Sequence, residues 1–155
     1  MTDVRWLDAE EQQTWRTFLV ANQLLRETLE RQLQRDAGMP HAYYQILVML
    51  SETPGRSMTM SELAQLVRSS PSRLSHAVAK LEEMGWVRRT RHTRDGRSTL
   101  ASLTDEGFAA LAAAAPGHVE QVRSALFDPL SSEQVHQLRE IFQAVLEKLG
   151  PAGPC

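Results

Sequence analysis

The sequence predicts a mainly α-helical chain with a small β-hairpin wing, a winged helix-turn-helix core between long N- and C-terminal helices. Three observations carry this. Apolar residues recur at helical spacing along most of the 155 residues. Two of the helical stretches are joined only by the turn Arg68-Ser69-Ser70. Directly afterwards the period changes to near-alternation in WVRRTR and STLASL, which flank Asp95-Gly96, a strong hairpin signal.

The first helix is announced by LDAEEQQ. Asp8 as N-cap with Glu11 forms a capping box, in which each side chain satisfies a backbone N–H that a helix start leaves unpaired. Trp15, Phe18, Leu19, Leu25, Leu29 and Leu33 then follow the helical period until Gly38-Met39-Pro40 stops it. Residues 41–52 place Tyr43, Ile46, Leu47 and Leu50 on one face, and TPGRS ends that helix. Thr59 with Glu62 is a second capping box, starting a short helix expected to bury Leu63, Leu66 and Val67. Pro71 suits a first helical position, where its missing N–H had no partner to lose, and the helix runs to Gly85. After the hairpin, Thr104 restarts helix at TDEGFAALAAAA. Pro116-Gly117 is expected to break or kink it before HVEQVRSALF resumes. Asp128-Pro129 ends that segment, Ser131 caps a last helix, and Gly150-Pro151 closes it.

Composition narrows the function classes. The formal net charge is only −2, yet residues 56–97 hold nine Lys/Arg against four Asp/Glu, a balance of +5, and the remainder carries −7. A basic middle in an acidic frame suggests a local polyanion site, the alternative being a solvated arginine-rich hairpin. The longest apolar run, FAALAAAA, falls far short of the ~18 residues a membrane span needs. The N-terminus has no signal-peptide h-region, so a cytoplasmic location is expected. Cys155 is the single cysteine, so no internal disulfide is expected. The five histidines lack metal-ligand spacing, and no G-x-G-x-x-G, P-loop or G-x-S-x-G occurs; neither enzyme activity, metal nor cofactor is expected.

The second helix of the helix-turn-helix has two characters. Leu74, Val78 and Leu81 share its inward face, and Ser72, His76 and Ala79 lie opposite, with Arg73 and Lys80 on one flank and Ser75 on the other. A face that is small, polar and cationic can approach a major-groove floor and donate hydrogen bonds to base edges. In the ribbon, Arg94 and Arg97 flank the tip, where guanidinium can enter a narrow minor groove. Arg88, Arg89 and Arg91 lie along the strand, within reach of phosphates.

At these residues the chain resembles the MarR family of bacterial transcription regulators. The resemblance rests on Ser61-Glu62-Leu63-Ala64, on LEEMGWVRR (81–89), and above all on Asp95-Gly96-Arg97 followed by Ser102-Leu103-Thr104-Asp105-Glu106-Gly107, similar to the family's D-x-R…L-T-x-x-G wing. It implies that Arg97 enters the minor groove and Asp95 steadies it. It also implies recognition-helix contacts from Ser70, Ser72, Arg73, Ser75, His76 and Lys80, and no fixed base preference at His76. It covers nearly the whole chain as one domain, with residues 40–104 the DNA-binding lobe and residues 8–36 and 105–150 the dimerisation helices.

The implied function is a ligand-responsive repressor that binds an inverted-repeat operator in double-stranded DNA as a homodimer. Val135, Leu138, Phe142, Val145 and Leu149, widened by Ile141 and Leu146, supply a stripe suited to such a dimer. The resemblance further implies a small aromatic or phenolic effector between dimer helices and DNA-binding lobe, with Trp15, Arg16, His41, Tyr44 and His118 as candidate lining. Ordinary roles compete: core for Trp15 and Tyr44, surface for the two histidines. Thiol sensing is not expected, since no cysteine lies near the first helix. A reading from another class is a protein-interaction module that docks its basic wing on an acidic partner.

Overall fold

The computed structural model describes residues 3–92, 94 and 96–150. Six helices and a three-stranded antiparallel sheet follow one another in the order α1 (Ala9–Ala37), α2 (His41–Glu52), β1 (Ser57–Thr59), α3 (Met60–Leu66), α4 (Pro71–Glu83), β2 (Val87–Arg91), β3 (Thr99–Leu103), α5 (Asp105–Val122) and α6 (Ser132–Leu149). A 3₁₀ turn, Pro54–Arg56, precedes β1, and a π-helical turn, Arg123–Phe127, follows α5.

The helix starts are set by local hydrogen bonding. Asp8 and Glu11, Thr59 and Glu62, and Ser131 and Gln134 each form a reciprocal capping box. Ser70 caps α4 by accepting from the Arg73 N–H at 3.2 Å, with Pro71 in the first turn. α1 ends at Gly38, whose φ of 63° is the left-handed cap that glycine adopts without strain.

The core lies in the middle of the chain. Leu33 near the end of α1 and Met39 just after it meet Ile46, Leu47 and Leu50 of α2, Leu63 of α3, and Leu74, Val78 and Leu81 of α4, all fully buried. Val87, Ala101 and Leu103 of the ribbon close it on one side, and Leu111 and Ala114 of α5 on another. α1 and α6 contribute little beyond this. α6 buries no residue, and Trp15, Ile141 and Leu149 are 51%, 58% and 77% exposed. Phe18 and Phe142 meet at 6.1 Å between ring centroids, so the two helices touch but do not cover each other.

The hairpin wing is formed by β2 and β3, and a strand the sequence did not reveal, β1, pairs with β3 on the edge opposite β2, with Ser57 opposite Ser102 and their hydroxyls 2.6 Å apart. Three sequence expectations are corrected. Leu66 is 40% exposed; α3 spans only seven residues, and Leu63 with Ala64 fills its inward face. Gly85 follows the α4 cap, which is Met84. α5 runs unbroken through Pro116, because it packs along α1 and that contact offsets the lost hydrogen bond.

The entry to α5 is hooked onto the root of the wing. Thr104 donates its hydroxyl to the Gly85 carbonyl at 2.6 Å, its N–H reaches the Trp86 carbonyl at 3.0 Å, and its Oγ1 accepts from the Gly107 N–H. Gly107 is buried directly under Trp86, where any Cβ would overlap the Trp86 carbonyl. Gly107→Ala is therefore expected to cost about 3 kcal/mol or more in urea denaturation. A loss below about 0.5 kcal/mol, the ordinary scale of a surface change, would contradict this packing.

Candidate nucleic-acid interface

Strand alternation and helical period together sort the basic residues. On α4, Leu74, Val78 and Leu81 are buried, which leaves Ser72, Arg73, His76 and Lys80 exposed and Ala79 half-buried. Ser70 stands at the N-terminus with its oxygen committed to the cap. Lys80 reaches Glu83 at 3.3 Å, an exposed pair that solvent weakens.

In the wing, Arg88 and Arg91 are exposed on β2, and Arg94 and Arg97 are exposed on either side of the tip. The tip is held by backbone bonds from His92 N–H to the Ser98 carbonyl at 2.8 Å and from Gly96 N–H to the His92 carbonyl at 3.0 Å. Gly96 has φ of 64°, the left-handed value the Asp-Gly signal anticipates. Asp95, expected to steady Arg97, lies outside the described residues. Arg73, Arg88, Arg91 and Arg94 form no ion pair with a described residue. Arg89 differs. Its Nε donates to Glu82 Oε1 at 2.6 Å and a terminal nitrogen donates to Ser75 Oγ at 3.1 Å. Arg89, expected like Arg88 and Arg91 to reach phosphates, is thus held by acceptors on α4.

The α4 face and the ribbon converge on a cleft of about 400 Å³ whose lining includes Ser61, Pro71, Ser75, Arg89 and Arg97. A cleft between a 13-residue helix and a basic ribbon, with Arg89 and Arg97 in its lining, suits an elongated polyanion.

A second cluster lies where α1, α2 and α5 meet. The His118 ring stands 4.4 Å from that of Tyr44 and 5.6 Å from that of His41. Its Nδ1 is 3.1 Å from Gln32 Oε1, and Gln32 donates in turn to Asp36 Oδ2 at 3.1 Å. The structure thus brings together three of the five residues expected to line an effector pocket. Trp15 and Arg16 are separated from it: they precede Gln32 on α1 by more than four turns, roughly 25 Å. Trp15 stacks on Phe18 instead. Gln32, nearly fully buried, is the member that sequence reasoning missed. Its signal was a glutamine directly beside Leu33 on the apolar face of α1.

Burial lowers the pKa of both imidazoles from the usual 6.5; Glu30 opposes this at His41 while Arg26 adds to it, and His41 adds to it at His118. Burial raises the Tyr44 phenol above its usual 10.0. For a histidine with a depressed folded pKa, the neutral form is the one folding favours. Its stabilisation is complete above the unfolded pKa and is lost as pH falls through about 6.5 toward the folded value. The thermal midpoint should therefore drop as pH is lowered from about 7.5 to about 5.5, and His118→Gln should flatten that dependence. A wild-type midpoint that does not change over this range would contradict imidazoles held neutral in the fold.

Among the described residues no group of three or more His, Cys, Asp or Glu could hold a metal, and no helix is long and apolar enough to cross a membrane. Residues 37–98, which span this interface, match a family model described as MarR family. Nearly the whole chain superposes on Sco3205, a MarR family transcriptional regulator from Streptomyces coelicolor solved in complex with DNA. The two are 53% identical with a TM-score of 0.93, over 98% of this chain and 95% of that one. AbsC, a MarR family transcriptional regulator from the same organism, is 40% identical with a TM-score of 0.90, over 94% of this chain and 98% of that one. The chain is also 33% identical over 113 residues to the HTH-type transcriptional repressor Rv2887 of Mycobacterium tuberculosis, 73% of this chain and 76% of that protein. Its match to the HTH-type transcriptional regulator PecS of Dickeya dadantii is 33% identical over 93 residues, 60% of this chain and 55% of that protein.

Proposed function

The chain belongs to the MarR family of transcriptional regulators, and we propose that it acts as a homodimeric, sequence-specific DNA-binding repressor in the cytoplasm, without catalytic activity. The observation that carries the reading is the exposed face of α4: small, polar and cationic, beside a basic ribbon, on a chain 53% identical throughout to one solved with DNA.

Each residue has a role in this reading. Ser72, Arg73, His76 and Lys80 face the major-groove floor and edges, where hydroxyl, imidazole and cationic donors meet base acceptors. Arg94 and Arg97 enter the adjoining minor groove, and Arg88 and Arg91 neutralise phosphates. Residues 40–104 form the DNA-binding lobe; residues 8–36 and 105–150 carry dimerisation. A two-fold dimer presents two α4 helices, so the operator is an inverted repeat with half-sites about 10 base pairs apart, centre to centre. His41, Tyr44 and His118 are the remaining candidates to meet a small aromatic effector. A basic wing docked on an acidic protein is disfavoured, because charge alone would serve it and the small face Ser72/His76 would be idle.

Selection from random duplexes by the purified protein should enrich an inverted repeat. In gel-shift titration, Arg97→Ala should weaken binding to that repeat by about ten-fold or more while leaving the dimer intact. With about 6–10 phosphate contacts, affinity should fall 10³–10⁵-fold between 50 and 200 mM salt. Equal binding of every duplex, or an Arg97→Ala variant as tight as wild type, would defeat the assignment.

A further inference from the structure

Arg89 occupies a place in the wing that its neighbours do not share. On β2, alternation puts Val87 and Arg89 on the face toward the core and α4, and sends Arg88 and Thr90 to the other. Ser75 and Glu82 lie two turns apart on α4 and so share one stripe, with Ala79 between them. Arg89 spans that stripe. Nε meets Glu82 at 2.6 Å, a terminal nitrogen meets Ser75 at 3.1 Å, and the backbone N–H approaches the second Glu82 oxygen at 3.4 Å. The ion pair is only about 30% exposed on either side chain, so salt screens it less than the other pairs on this surface.

A carboxylate beside a DNA-binding face is otherwise unfavourable, since it repels phosphate. Its place is accounted for if Glu82 answers an arginine of the same chain. We propose that Arg89 is a positioning residue: held by Glu82 and Ser75, it sets the angle between α4 and the wing and neutralises no phosphate itself. Ser75 accepts from Arg89 and keeps its own hydroxyl proton to donate, so the strut also orients that hydroxyl. The inference rests on the DNA-binding reading, and deepens it by separating the arginines that touch DNA from the one that aims them.

Charge counting and positioning predict opposite signs. If charge alone mattered, Glu82→Gln would remove repulsion and tighten binding. As a strut, Glu82→Gln weakens binding to a duplex selected by the wild-type dimer by about ten-fold, the scale of losing one well-placed contact. The salt slope and the dimer stay unchanged. Arg89→Gln gives a loss of the same size, and the double variant Glu82→Gln/Arg89→Gln loses no more than either single one. If Glu82→Gln fails to fold, Glu82→Asp keeps the charge, shortens the reach and is expected to show the same weakening.

Two results overturn the strut: tighter or unchanged binding by the Glu82 variants, or a salt slope that falls by about two in Arg89→Gln, one contact per protomer. Wild-type protein that selects no duplex overturns the DNA-binding reading beneath it. Selection by wild type, with Glu82 and Arg89 variants equally tight, overturns the strut alone.

Discussion

The structure depends on apolar surface that one copy of the chain does not bury. α1 and α6 present Trp15, Phe18, Leu19, Ile141, Phe142, Val145, Leu146 and Leu149 to solvent, although the chain has a well-filled core elsewhere. Exposed patches of this kind mark association surfaces, and a two-fold partner covers matching patches on both subunits at once. Pairing also determines the distance between two α4 helices, and hence which DNA the protein can read. Helix caps, wing and recognition face are local features; the spacing of the two sites is not.

α1 and α5 are both anchored in the lobe that carries α4. Leu33 and Met39 bring the end of α1 into the core, and Thr104 with Gly107 fastens the start of α5 to Gly85 and Trp86. Between these anchors, His118 of α5 is paired with Gln32 of α1 and lies against Tyr44 of α2.

How much was legible in the sequence depends on the range of each interaction. The capping residues Asp8, Thr59 and Ser131 act on neighbours three residues away, so their chemistry announced the helix starts. Leu74, Val78 and Leu81 followed the helical period, and the α4 outward face could be deduced from it. β1 was not readable: three residues are too few for an alternation to stand out, and Ser57 meets Ser102 across 45 positions. Pro116 misled because tertiary packing on α1 outweighed a local rule. Proximity in the fold also divided residues that a resemblance had grouped: His41, Tyr44 and His118 converge while Trp15 stands turns away, and Arg89 turns to Glu82 where Arg88 does not.

The central claim is that the lone chain is not the working unit, because its outer helices need a second copy. Sedimentation equilibrium over falling protein concentration tests it most directly. The account requires a particle of twice the 17.4 kDa chain mass throughout the range in which DNA is bound. A 17.4 kDa species that still binds DNA with full affinity would contradict it.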